Sequence, residues 1–148
     1  MGNRGTRQMA GEGAAMLERH LVQSVGFRNT GPAGARDGFE FRLRLPYYRG
    51  IPASLCDGVA VSVDGESFGF EGNRIELDGR ELSLGALREA VDVRWRIDQA
   101  AIVRVPRPGG LAVGVHAITV DVRLRQSYFP PQFQPSIVTE TRAATIVL

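Results

Sequence analysis

The stretch "FEFRLRL", residues 39–45, decides the fold. Phe39, Phe41, Leu43 and Leu45 fall on one side of an extended chain, and Glu40, Arg42 and Arg44 on the other. Successive side chains of a strand point to opposite faces, so a repeat of two with one apolar side marks a half-buried antiparallel strand. The pattern recurs along the chain. "VAVSV" (59–63) carries Val59, Val61 and Val63 inward and runs into Asp64-Gly65, a dipeptide suited to a type I′ hairpin turn. "RIEL" (74–77) and "RELSL" (80–84) flank a second such dipeptide, Asp78-Gly79. "VDVRWRI" (91–97) puts Val91, Val93, Trp95 and Ile97 inward, with Arg94 and Arg96 outward. "AIVRV" (101–105), "HAITVDVRLRQ" (116–126, with Ile118, Val120, Val122 and Leu124 inward) and "ATIVL" (144–148) complete the set.

About seven short strands, spaced by roughly ten residues with turn chemistry between them, predict an all-β fold, an antiparallel β-sandwich. One helix interrupts it: "SLGALREA" (83–90), with Ser83 as the expected N-cap. Residues 1–15 have scattered glycine and no periodicity and are expected to form a flexible tail. Met16 opens a more structured segment, so residues 16–148 are expected to form a single β-sandwich domain. "TGPAGARDG" (30–38) reads as a loop.

The chain has 148 residues, 43% of them hydrophobic, enough for one domain with one core. Its formal net charge of +2 is too small to announce nucleic-acid binding. All 18 basic residues are arginine. Arginine is weakly hydrated and forks onto carboxylates at interfaces more readily than lysine. Cys56 is the only cysteine, which rules out an intrachain disulfide and predicts a small buried hydrophobe. No apolar run approaches the roughly 18 residues of a membrane span, and no apolar signal region opens the chain, so a cytoplasmic setting is expected.

Catalytic chemistry is hard to find. His20 and His116 are the only histidines and lie far apart in sequence. No His-x-His, cysteine pair or His/Glu cluster has metal spacing, so no metal or cofactor is expected in this chain. "ASLCDG" (53–58) lacks a nearby histidine to activate Ser54 or Cys56, and the glycine-rich pieces fit no phosphate cradle. No catalytic residue is expected. Two aromatic, proline-rich segments remain, "LPYYRGIP" (45–52) and "RQSYFPPQFQPSIVTETR" (125–142). Their prolines are expected to keep them out of the sheets. Aromatics on a stiffened loop offer contact area at low entropic cost. Tyr47, Tyr48, Arg49, Tyr128, Phe129 and Pro130 are therefore the candidate interface or pocket-edge residues. The plainer alternative is that these aromatics simply lid one end of the sandwich. Arginines also recur on the polar faces of several strands: Arg42, Arg44, Arg94, Arg96, Arg104, Arg123 and Arg125. If those strands shared a sheet they would form one basic stripe; otherwise they form solvated, salt-bridged faces.

Taken in order, "GFRN" (26–29), "GFEFRLRLPYYRGIP" (38–52), "VSVDGE" (61–66), "DVRWRI" (92–97), "VPRPGGLAVGVH" (105–116) and "VDVRLRQSYFP" (120–130) resemble the small β subunit of bacterial C-glycoside deglycosidases. The likeness runs from about Met16 to Leu148. It implies a β-sandwich that associates with a larger α subunit, itself a TIM barrel similar to sugar-phosphate isomerases and epimerases. That subunit would hold a divalent metal, manganese or magnesium, and the acid/base residues. Together the two would cleave the carbon–carbon bond between a sugar and an aromatic aglycone, often after oxidation to the 3-keto sugar. None of the matching segments is a catalytic signature. Loop chemistry, not the resemblance, selects the six contact residues. The residues leave two other readings open: a free-standing carbohydrate- or polyphenol-binding module, and an enzyme using an acid pair of its own.

Overall fold

A computed structural model describes residues 17–125 and 136–147. The expected tail, residues 1–15, lies outside these. Among the described residues, eleven strands and one α-helix follow one another, with a short 3-10 turn at Ala53–Leu55: β1 (Arg28–Thr30), β2 (Gly38–Leu43), β3 (Ile51–Pro52), β4 (Cys56–Val63), β5 (Glu66–Phe68), β6 (Arg74–Leu77), β7 (Arg80–Leu82), α1 (Leu84–Glu89), β8 (Arg94–Trp95), β9 (Ala101–Pro106), β10 (Gly114–Leu124) and β11 (Ser136–Ile146). They form a five-stranded sheet ordered β1-β2-β9-β6-β7, a four-stranded sheet ordered β11-β10-β4-β5, and a two-stranded ladder of β3 and β8. Every pairing is antiparallel. The fold is all-β, a sandwich with a small third sheet at one end.

The alternating residues build the core. Phe39, Phe41 and Leu43 of β2 are fully buried, as are Ile118, Val120 and Val122 of β10. Phe39 meets Phe68 of the opposite sheet edge-on, with centroids 5.5 Å apart, so a single core joins both sheets. Each such side chain contributes roughly 1.5–3 kcal/mol on burial. Both Asp-Gly turns form as expected. Asp64 and Gly65 have φ of 50° and 89°, and Asp78 and Gly79 have 51° and 76°, the paired left-handed values of a type I′ turn. Ser83 Oγ accepts a 3.3 Å bond from the Ala86 N–H and caps α1.

The two open sides of the sandwich are closed differently. On one, α1 lies against β4, burying Leu87 and Ala90. There Gly58 has a φ of 122°, and a Cβ on it would lie 2.9 Å from the Phe70 ring. Only glycine fits. It sits at a bulge, where Leu124 pairs with Cys56 and Arg123 with Gly58, leaving Asp57 as the extra residue. On the other side, residues 21–23 pair with the end of β2. Glu140 and Arg142 of β11 then reach across to the same segment: Val22 N–H donates to Glu140 Oε1 (3.0 Å), and Arg142 Nη1 to Glu18 Oε1 (2.7 Å).

Three expectations need correction. Val91 and Ile97 were expected inward but are 72% and 53% exposed. Only Arg94–Trp95 pair as a strand, because the chain is still leaving the α1 terminus at Val91 and turns again where Gln99 N–H bonds the Arg96 carbonyl. Glu40 was expected to face water, yet it is buried under two arginines. The prolines do not exclude their segments from sheets. Pro52 sits in the short β3–β8 ladder, and Ser136–Arg142 belong to the eleven-residue β11. Of the two readings open for the outward arginines, the single shared stripe does not form. Arg42 and Arg104 lie on the five-stranded sheet, Arg123 on the four-stranded sheet and Arg94 on the small ladder.

Candidate functional site

Three of the six candidate residues form a knuckle between β2 and β3. Leu45 is buried and anchors its start, and Ile51, paired with Trp95, anchors its end. Trp95 is fully buried and donates its indole N–H to the Gln99 carbonyl (3.1 Å). Gly50 passes so close to this strand that a Cβ would sit 3.2 Å from the Trp95 carbonyl oxygen. Arg94 Nη2 ties the Gly50 carbonyl at 3.2 Å. On this fixed base the Tyr47 and Tyr48 rings lie 4.6 Å apart, tilted by 48°. Tyr47 packs on the core, while Tyr48 is 72% exposed. The Arg49 guanidinium stands 5.8 Å from the Tyr48 ring centroid. A hydrogen bond with Tyr48, reinforced by partial burial, raises the Tyr47 phenol above its ordinary range. The knuckle is thus a rigid aromatic projection with a cation beside it, and it has the make-up of a contact site rather than of an acid/base pair.

The chain departs for residues 126–135 from the same end of the sandwich. The Arg125 N–H donates to Leu55 (2.8 Å), and its guanidinium reaches the Ser54 carbonyl (2.7 Å) and Asp57 (3.1 Å). The turn at residues 53–55 follows the knuckle directly. The chain returns at Ser136, paired with Leu124. Tyr128, Phe129 and Pro130 lie outside the described residues; the described residues that flank them adjoin the knuckle's end of the fold.

Two polar clusters sit elsewhere. On the outer face of the five-stranded sheet, Arg104 is a hub: Nε lies 2.9 Å from Glu40, and Nη1 lies 2.6 Å from Glu76 and 2.8 Å from Glu81. Arg28 adds a 2.8 Å contact to Glu40. Burial alone would lower the Arg104 pKa, but the three carboxylates raise it. A groove of about 650 Å³ runs beside this hub, lined by Arg28, Arg36, Glu40 and Arg104 among others. The charges of the hub itself are committed to one another. At the opposite end from the knuckle, buried His116 sets Nδ1 2.6 Å from Asp64 and Nε2 2.7 Å from the Ala112 carbonyl. Both partners accept, so both nitrogens donate only as the imidazolium, and the Ala112 and Asp64 contacts raise the His116 pKa. Asp64 is correspondingly lowered, chiefly by the Ala117 N–H and then by His116. No sequence signal linked these two residues, which lie 52 positions apart. Among the described residues, no group of three or more His, Cys, Asp or Glu side chains could hold a metal ion. Cys56 is buried, and that burial pushes its thiol up to about 12. No helix of the described residues is long and apolar enough to cross a membrane.

A family model described as the C-glycoside deglycosidase beta subunit matches residues 17–128. The chain belongs to this family. A C-glycoside deglycosidase beta subunit of Eubacterium cellulosolvens is 33% identical over 122 residues, covering 82% of this chain and 83% of that one. A 3'-dehydrocarminate deglycosidase beta subunit of Microbacterium sp is 33% identical over 106 residues, 70% and 78% of the two chains. A further C-glycoside deglycosidase beta subunit, of Microbacterium trichothecenolyticum, is 28% identical over 116 residues, covering 76% and 82%. As a beta subunit, the chain is one part of an enzyme complex with a partner subunit. The stretch matched by the C-glycoside deglycosidase beta subunit model includes the knuckle and Tyr128 but stops before Phe129 and Pro130.

Proposed function

We propose that this chain is the accessory, non-catalytic subunit of a heteromeric C-glycoside deglycosidase acting on C-glucosides of aromatic aglycones. The observation that carries the reading is the match to beta subunits over about four-fifths of both chains. The companion is a TIM-barrel α subunit carrying manganese or magnesium and the acid/base residues. A relative named for a 3'-dehydro substrate supports action on a 3-oxo sugar. A 3-oxo group acidifies the C2 proton. A base on the companion removes that proton, and the enolate then forms the C1–C2 double bond as the C1–aglycone bond breaks, an acid on the companion protonating the departing aglycone carbon. A divalent cation held by the companion would stabilise the developing enolate oxygen. In this scheme the knuckle of Tyr47, Tyr48 and Arg49, together with Tyr128, Phe129 and Pro130, meets the companion or borders the sugar–aglycone pocket.

Co-expression with a TIM-barrel isomerase-like companion, followed by assay on a 3-oxo C-glucoside with and without a chelator, tests this. Release of aglycone by the pair, its loss on chelation and none from this chain alone are the expected results. Turnover by the isolated, metal-stripped chain would overturn the reading. For the knuckle, Tyr48→Ala is expected to weaken co-elution with the companion. Unchanged assembly and activity would remove Tyr48 from the account.

A further inference from the structure

The outer face of the four-stranded sheet differs in character from the charged outer face of the five-stranded one. Strand register lays its outward side chains in rows: Val115 beside Thr145, Ala117 beside Ala143, Thr119 beside Thr141, Asp121 beside Thr139, and Arg123 beside Ile137. The Thr119–Thr141 row continues through Ser62 of β4 to Ser67 of β5, four hydroxyl residues across four strands. From Val115 to Thr119, and across to β11, no outward side chain is charged. Val115 is 69% exposed and Ile137 53%. Two charges stand at one end of the face: Asp121 accepts from Thr139 (2.6 Å), and Arg123 stacks 4.2 Å from the Phe70 ring centroid with its buried Nε left without a hydrogen-bond partner.

β11 compounds this plainness. It is an edge strand of eleven residues, and its charged side chains, Glu140 and Arg142, turn the other way to hold residues 18–22. Residues 18–22 cover part of that edge, so what stays open is the outward face, where no charge or proline stands between Ile137 and Thr145. Two eleven-residue strands with their shorter neighbours span a face of roughly 500 Å², from ~3.3 Å per residue and ~4.8 Å between strands. That approaches the about 800 Å² each partner contributes to a standard interface. The face also begins, at Arg123 and Ile137, where the sheet meets the knuckle's end of the sandwich.

The geometry points to the outer face of β10 and β11, centred on Ala117, Thr119, Thr141 and Ala143, as the surface that the companion subunit covers with a matching flat, uncharged patch. This inference rests on the proposed membership of a heteromeric complex. It extends the contact from the knuckle along the sheet.

Single cysteines test it, because buried Cys56 does not compete for label. Thr141→Cys probes the face, and Glu81→Cys probes the opposite sheet. Each is treated with a maleimide in the isolated chain and in the complex with the co-expressed companion. Thr141→Cys is expected to label at least about tenfold more slowly in the complex, while Glu81→Cys labels equally in both. Ala143→Arg, which places an unpaired charge in the covered region, is expected to weaken assembly by about a hundredfold with no loss of thermal stability in the isolated chain. Equal labelling of Thr141→Cys in both states, with the complex formed, would overturn the inference and leave the subunit reading standing. Protection in the isolated chain that grows with its concentration would also overturn it, since a second copy would then be the occupant. Failure of the wild-type chain to form any complex would overturn the subunit reading, and this inference with it.

Discussion

The two sheets of one sandwich present opposite outer surfaces to water. The five-stranded sheet meets solvent with a lattice of guanidinium and carboxylate groups centred on Arg104. The four-stranded sheet meets it mainly with threonine, serine, alanine and valine, with Asp121, Arg123 and Ile137 toward one end. Both inner faces are built alike, from alternating branched and aromatic side chains, so the core does not explain the difference. An outer face that satisfies its own charges needs nothing else; one whose central rows carry no charge is the side proposed here for contact with the companion.

The largest expected effect falls on what the sheets share. Phe39→Ala removes the ring that meets Phe68 across the core and should cost about 3–5 kcal/mol in urea unfolding. Far-UV dichroism and Trp95 fluorescence should lose signal at one midpoint, since both sheets hold the same core. Separate transitions would show that the sheets are independently stable and undo the comparison at its root. Next comes the charged face. Arg104→Met leaves Glu40 buried with Arg28 as its remaining partner and should cost about 2–3 kcal/mol, below the full penalty of a buried pair because Arg104 is partly exposed. A change under about 0.5 kcal/mol would place the hub among ordinary surface pairs.

A smaller effect should appear with pH. The folded-state pKa of His116 is raised, so its contribution is fully present below the ordinary histidine value and fades as pH rises through the folded one. Asp64 is lowered, so its share holds above the ordinary carboxylate value and fades as pH falls through its folded value. His116→Gln should flatten the alkaline limb of the stability curve, checked by thermal melts across that range; an unchanged limb would refute the clasp. Smallest of all, Thr119→Ala should change the isolated chain's stability by no more than about 0.5 kcal/mol, although it loses the 2.8 Å bond to Thr141. A larger loss would mean that the plain face is structural in its own right.

Alternation along the chain disclosed the inward sets of β2, β4 and β10, and the Asp-Gly pairs disclosed two hairpins, because both signals are local. The short helix and its Ser83 cap were legible for the same reason. What stayed hidden depends on which strand neighbours which. Parity told that Arg42, Arg94, Arg104 and Arg123 point outward, but not that they lie on three different sheets. It placed Glu40 outward without showing that two arginines would cover it. The Val22–Glu140 bond spans 118 residues, and no periodicity reports such a contact. At the candidate site, loop chemistry picked out Tyr47, Tyr48 and Arg49 as contact or pocket-edge candidates, while the buried Trp95 that pairs with Ile51 at the base of their loop was read merely as one more inward residue. The uncharged rows of β10 and β11 could be seen only after register placed Thr119 beside Thr141.

The pairing of Leu124 with Ser136 closes the sheet before residues 126–135 begin. A stretch pinned at both ends by a finished ladder can change in length and composition with little effect on the scaffold, since each doubling adds only about 0.6 kcal/mol of closure cost. The sandwich therefore fixes, through Leu124 and Ser136, where that stretch leaves the sheet and where it returns.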